Sequence, residues 1–204
     1  MIVIIDYGVG NIRAFANIYK QLNIPIKIAQ KAEDLDNASK LILPGVGAFD
    51  YAIEQLENSG MRQRLDELVL TGHVPVLGIC VGMQMLAEGS DEGEKPGLGW
   101  ISAYVKKFDE NKIHDATRLP HMGWNSIRVV NENKLLRGLE KEPKFYFLHS
   151  YYFECRQKED VIATTEYGIE FSCAVNRNHI YGVQFHPEKS HQNGIRLLEN
   201  FARL

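Results

Sequence analysis

With 204 residues, 45% of them hydrophobic, the chain is long enough for one domain with a substantial core and too short for two, so residues 1–204 are read as a single domain. Its 23 basic and 26 acidic residues leave a net charge of −3, without the basic footprint of a nucleic-acid binder, so small-molecule chemistry is the better expectation. Three cysteines, Cys80, Cys155 and Cys173, form no C-x-x-C pair, which points to a reducing, cytoplasmic setting in which each thiol is judged alone.

The first apolar run, residues 2–6, lacks a basic leader and stops at Asp6, so it reads as a buried strand, neither signal peptide nor membrane span. A helical segment follows at 11–22, then a strand at 41–43 and a helix at 49–56. This alternation is the pattern of βα units on a parallel sheet. Met61, Leu65, Leu68 and Val69 recur on one helical face, with Gly72 as a stop. A strand over 74–79 then runs into Cys80, and residues 83–88, all good helix formers, predict a helix directly after it. Residues 90–99 and 109–118 are polar and lack an apolar period, so they read as surface loops. Later strands are predicted at 100–108, 145–149, 161–165, 171–175 and 180–185, and Ile195, Leu198 and Phe201 mark a closing helix. The fold class is α/β: a central, mostly parallel sheet flanked by helices, with antiparallel additions late in the chain.

Gly78 and Gly82 flank Cys80 two residues on either side. A sharp strand-to-helix elbow that lifts a nucleophile off a sheet needs small residues there, as in the serine elbow G-x-S-x-G. The first turn of a helix would favour the thiolate, and its free N–H groups could stabilise an oxyanion. Cys155 and Cys173 sit in strand-like runs and read as small hydrophobes. A thiolate also needs an oriented base. His186-Pro187-Glu188 follows a buried strand, and in extended chain residues i and i+2 point the same way, so Glu188 can brace the His186 imidazole. Gly8-Val9-Gly10 reads as a tight turn, because Arg13 replaces the third glycine of a dinucleotide fingerprint. His121 and His149 have no partners at metal-ligand spacing; both read as structural or hydrogen-bonding residues, and neither metal nor cofactor is expected.

Gly78-Ile79-Cys80-Val81-Gly82-Met83-Gln84 and Gly182-Val183-Gln184-Phe185-His186-Pro187-Glu188 resemble the two signatures of the class I, triad-type glutamine amidotransferases. Within that family, Pro44-Gly45-Val46-Gly47, Pro120-His121-Met122-Gly123-Trp124-Asn125 and Lys189-Ser190 resemble the branch whose glutaminase feeds a barrel-shaped cyclase in histidine biosynthesis; that branch usually carries leucine at the position of Val81. The resemblance implies a catalytic triad of Cys80, His186 and Glu188, and an oxyanion hole from the N–H groups of Val46 and Val81. It implies glutamine contacts at Gly47, Gln84, Glu92, Ser150 and Tyr151, and partner-facing positions at Asn11, Trp124, Asn125 and Lys189. The implied ammonia would travel to the cyclase, in a heterodimer, and yield imidazole glycerol phosphate and an aminoimidazole carboxamide ribotide.

On charge alone the acidic loop around Glu92 reads as ordinary solvated surface, and Trp124 in a strand-like run reads as core as readily as interface. Three other functions stay open at this point. Cysteine peptidase and deglycase-like enzymes share the broad architecture, but usually place histidine directly after the elbow cysteine, where this chain has Val81. An inactive binding module would be expected to lack a triad member, and none is missing. A paralogous subunit supplying ammonia for nucleotide-sugar or surface-polysaccharide synthesis would carry the same triad.

Overall fold

The computed structural model describes residues 1–113 and 119–204; the part of the predicted loop at 114–118 lies outside the described residues. Strand β1 (Ile2–Ile5) is followed by α1 (Ile12–Gln21), β2 (Ile26–Ala29), β3 (Lys40–Gly45), α2 (Phe49–Asn58) and α3 (Arg62–Asp66). A π-turn over Glu67–Thr71 continues α3 to Gly72, with Met61, Leu65 and Val69 buried on the expected face. Then come β4 (Val76–Cys80), α4 (Val81–Gln84), β5 (Ala103–Lys107), β6 (His121–Ser126) and β7 (Arg128–Val129). The chain ends with β8 (Lys144–His149), β9 (Tyr151–Cys155), β10 (Val161–Tyr167), β11 (Ile169–Arg177), β12 (Ile180–Val183) and α5 (His191–Arg203).

Among the described residues the main sheet has ten strands, ordered β2-β1-β3-β4-β12-β11-β10-β7 with β9 and β5 branching from β11. The strands from β2 to β12 in that order run parallel, and β11, β10 and β7 extend the sheet antiparallel, so the expected fold class is the observed one. β1 and the middle of β3 are apolar and fully buried, as a sheet covered on both faces requires. The Tyr19 hydroxyl of α1 donates to the Leu198 carbonyl of α5 at 3.1 Å and ties the closing helix to the first one. β6 and β8 form a separate antiparallel ribbon, in which His121 lies opposite His149 and Trp124 opposite Tyr146.

Two predicted elements differ near the nucleophile. The helix expected over 83–88 is a single turn, Val81–Gln84. The carbonyls of Met85, Leu86, Ala87 and Glu88, which would have continued it, instead accept from the N–H groups of Leu98, Ile101, Gly99 and Gly97 in the returning loop. A four-residue turn carries little macrodipole, so the expected helix field on the thiol is small. β12 ends at Val183, before the predicted end at 185, because the His186 N–H leaves the sheet and donates to the Tyr146 carbonyl of β8 at 2.8 Å.

Candidate active site

Cys80 closes β4 with φ 56° and ψ −115°, a conformation that L-residues avoid and that costs on the order of 1–3 kcal/mol. The neighbouring glycines let the turn close. A Cβ on Gly82 would lie 1.9 Å from the Leu43 carbonyl oxygen, and one on Gly78 would lie 2.6 Å from the Gly82 oxygen. β3 runs alongside with Gly45 in register with Cys80, and a Cβ on Gly45 would lie 2.3 Å from the Gly82 nitrogen. β12 flanks the other side, with Gly182 in register with Gly78. The carboxyl ends of β3, β4 and β12 therefore meet at one point, where parallel α/β sheets place their ligand crevices.

A cavity of about 530 Å³ opens there, and Cys80, Val81 and His186 share its wall with Val46 and Gly47 at the end of β3. Gln84, Glu92, Ser150, Tyr151 and Lys189 line it too, so every predicted glutamine contact and both predicted oxyanion donors border one space. Glu188 stands behind His186: its side chain is 1% exposed, and its Oε1 lies 2.9 Å from His186 Nδ1. The second carboxylate oxygen, Oε2, is buried without a protein hydrogen bond. With Nδ1 engaged by Glu188, Nε2 is the nitrogen left for the thiol.

Burial disfavours a charged His186, but hydrogen bonds to Cys80 and Glu188 and their negative charge outweigh it and raise the imidazole from its usual 6.5 to about 10. Cys155 and Cys173 contrast with this. Burial and the nearby Asp160 push the Cys155 thiol up to about 12, and burial raises Cys173 well above the usual range. Neither lines the cavity that Cys80 shares with His186, so the structural reading of both thiols agrees with their surroundings.

Glu92 overturns the reading of its loop as plain solvated surface. Its carboxylate accepts from the Phe49 N–H at the start of α2 at 2.9 Å. Asp50 of α2 accepts in return from the N–H groups of Glu94 and Lys95 at 2.9 and 3.0 Å. The acidic loop is thus strapped to a helix N-terminus, and partial burial raises the Glu92 carboxyl. Gly8-Val9-Gly10 is the expected tight turn, with Gly10 at φ 108° against Pro44.

The predicted partner-facing residues do not all share the cavity. Lys189 lines it and rests its ammonium 5.6 Å from the Tyr146 ring. Trp124 is 48% exposed on the outer face of β6, beside exposed Met122 and Leu148, and stacks on His191 at 5.0 Å, so its core reading is excluded. Asn11 is exposed in a separate depression with Asp6 and Gln30. Asn125 turns its amide inward, donating to the Glu166 carbonyl at 2.8 Å.

Sequence reading left several neighbours of the site without a role. Gln184 is fully buried, accepts from Gln84 Nε2 at 3.1 Å and places its own Nε2 3.9 Å from Cys80 Sγ. Ser190 donates to the His186 carbonyl at 2.6 Å and accepts from the Tyr146 N–H at 3.0 Å, pinning the turn that carries the base. The Tyr7 hydroxyl donates to the Pro44 carbonyl at 2.6 Å, fixing the strand end that leads to Val46. His149, read as structural, lines the cavity as well.

Known proteins resemble this chain along its length. A family model described as glutamine amidotransferase class-I matches residues 3–204. The imidazole glycerol phosphate synthase subunit HisH of Leptospira interrogans is 53% identical over 204 residues, and that of Bdellovibrio bacteriovorus is 54% identical; each alignment covers 100% of both chains. A solved structure described as a glutamine amidotransferase superposes with a TM-score of 0.75 at 22% identity, covering 99% of each chain, which supports the fold. Matched by that model along nearly all of its residues, and identical to those subunits at more than half of its positions, the chain belongs to the class-I glutamine amidotransferase family, in the branch of the imidazole glycerol phosphate synthase subunit HisH.

Proposed function

We propose that the chain hydrolyses the side-chain amide of glutamine with Cys80, His186 and Glu188 and passes the ammonia to a barrel-type cyclase, as the glutaminase subunit of imidazole glycerol phosphate synthase in histidine biosynthesis. The observation that carries this reading is the thiol of a strained elbow sharing one cavity with an imidazole that a buried carboxylate braces. The relatives' names favour the histidine branch over sugar synthesis. No described helix is long and apolar enough to cross a membrane, and a cytoplasmic location belongs to the same proposal.

In the proposed reaction the Cys80 thiolate attacks the amide carbon, and the carbonyl oxygen takes up negative charge against the Val81 and Val46 N–H groups. His186, held as imidazolium by Glu188, gives its Nε2 proton to the leaving nitrogen, the carbon–nitrogen bond of the tetrahedral adduct breaks, and ammonia departs to leave a thioester on Cys80. Neutral His186 then takes a proton from water as the water oxygen bonds to the thioester carbon; the carbon–sulfur bond breaks, releasing glutamate and restoring the thiolate–imidazolium pair. Glu92 offers a carboxylate for the substrate ammonium, and Gly47, Gln84, Ser150 and Tyr151 complete the pocket. Val46, 41% exposed between two glycines, is the donor most open to reorientation when the partner docks. Asn11, Trp124 and Lys189 are assigned to the partner-facing side, whereas Asn125, also expected there, spends its amide protons on His121 and Glu166.

Glutamate release, measured for the chain alone, with cyclase, and with cyclase plus acceptor ligand, tests the reading. Cys80→Ala should abolish release, and a variant that hydrolyses at the wild-type rate would overturn it. His186→Ala should lower turnover by about 10²–10⁴, and Glu188→Gln by less, because a correctly placed imidazole still acts part of the time. A glutamine-like electrophile should modify Cys80 and spare Cys155 and Cys173.

A further inference from the structure

His149 and its neighbour His121 are buried polar residues that the hydrolytic steps leave unused. His149 Nδ1 lies 2.7 Å from the Tyr151 carbonyl oxygen. A carbonyl only accepts, so Nδ1 carries the proton, and Nε2 of the neutral ring is an acceptor. His121 Nδ1, 3.0 Å from that Nε2, therefore donates, which leaves His121 Nε2 to accept from Asn125 Nδ2 at 3.2 Å. The same Asn125 nitrogen gives its other proton to the Glu166 carbonyl at 2.8 Å. Backbone carbonyls thus fix the polarity from both ends, and each link has one donor and one acceptor.

The order continues toward the nucleophile. The Tyr151 carbonyl also accepts from Gln84 Nε2 at 3.2 Å, and that nitrogen donates to Gln184 Oε1 at 3.1 Å. Both Gln84 amide protons are then engaged, and its Oε1 is the atom left for a ligand in the cavity that Gln84 lines. Both rings stay neutral at ordinary pH. Burial lowers His121 to about 4; burial and then the neighbouring His121 lower His149 to about 3.

We propose that His149 and His121 are positioning residues: with Asn125 they form a one-way hydrogen-bond relay that holds the Tyr151 carbonyl, and through it the Gln84 carboxamide, in the orientation that receives glutamine. The link to glutamine rests on the glutaminase reading, whereas the tautomers do not.

Histidine in water favours the Nε2–H tautomer, so the relay has an NMR signature. In the ¹⁵N-histidine-labelled chain, His149 and His121 should each show a protonated Nδ1 and a bare Nε2. An Nε2–H tautomer in either ring would overturn the relay, whatever the chain's activity. In the complex with the cyclase, His149→Leu should raise KM for glutamine about tenfold, the loss of one buried hydrogen bond, with kcat within about threefold. His149→Asn, whose amide N–H can replace Nδ1–H, should recover most of that loss. A fall in kcat with KM unchanged, or no recovery by Asn, would overturn the positioning role. If His149→Leu fails to fold, His121→Phe, which keeps a ring between Phe147 and Tyr167, decides the same KM question.

Discussion

The elbow at Cys80 and the β6–β8 ribbon both line one cavity and are shaped by different physical means. At the elbow the backbone does the shaping: a strained cysteine is held by glycines whose missing side chains admit Leu43 and Gly82 at contact distances. In the ribbon, side chains paired across strands set the geometry, with His121 opposite His149 and a ring stacked on each face of His121. A wall shaped by backbone should respond to single atoms. A wall shaped by paired neutral histidines should respond to protons.

The largest expected effects lie in the elbow, two residues apart. Gly82→Ala would put a methyl 1.9 Å from the Leu43 carbonyl oxygen, and the backbone on either side has no slack, so a loss of about 3 kcal/mol or more is expected. Cys80→Gly should instead be about 1 kcal/mol more stable than Cys80→Ala, which loses the same buried thiol and its bond to His186 but keeps the positive φ. Relief of the positive φ outweighs the extra freedom that glycine brings to the unfolded state. Both cysteine variants should abolish hydrolysis. Urea denaturation of the three variants checks this; a Cys80→Gly no more stable than Cys80→Ala would mean that the elbow stores no strain.

This contrast also explains what was legible in the chain. Gly78, Cys80 and Gly82 lie within five residues, so their shared requirement shows as a local pattern, and His186-Pro187-Glu188 is equally local. β1, α1, β3 and α2 were readable because apolar runs alternated with helical periods. The histidine pair is separated by 28 positions and meets only through strand pairing, so neither residue carries a mark of its partner. Glu92 stood out only through the resemblance, for a similar reason: its partner is a backbone N–H of α2, 43 positions away. The helix after Cys80 was overread because propensity says nothing of a later loop that captures its carbonyls. Gln184 stood inside a quoted motif, and only the folded contact with Gln84 and Cys80 gives it a place.

The ribbon responds to acid instead. His121 and His149 hold pKa values of about 4 and 3, against 6.5 for an unhindered imidazole, with burial the main cause in both. Below pH 6.5 the unfolded chain takes up these protons and the folded chain refuses them. Their contribution is therefore complete above pH 6.5 and is lost as pH falls toward 4 and then 3, by up to about 1.4 kcal/mol per pH unit for each ring. His186 has the opposite sign. Raised to about 10, its contribution is complete below pH 6.5 and is lost as pH climbs through 10. Stability measured from pH 7 to 4 should fall less steeply in His121→Phe than in the unaltered chain, since carboxylates common to both cancel in the comparison. Equal slopes would mean that His121 titrates normally in the fold.

The smallest expected effect on the chain itself comes from the ribbon's outer face. Met122, Trp124 and Leu148 are 63%, 48% and 37% exposed, on the side of the strands opposite the histidines. Trp124 makes one close stack, on His191, so Trp124→Ala should change the stability of the isolated chain by about 1 kcal/mol or less. An exposed indole among exposed apolar neighbours has the character of an interface anchor. In the proposed complex its removal should weaken cyclase binding by about 2 kcal/mol, roughly thirtyfold. The two numbers separate a surface residue that packs on its own chain from one that waits for a partner. Titration of the variant with the cyclase, set beside its denaturation curve, measures both. Normal docking by Trp124→Ala would move the contact off the ribbon and leave Lys189 and Asn11 to carry the partner-facing side.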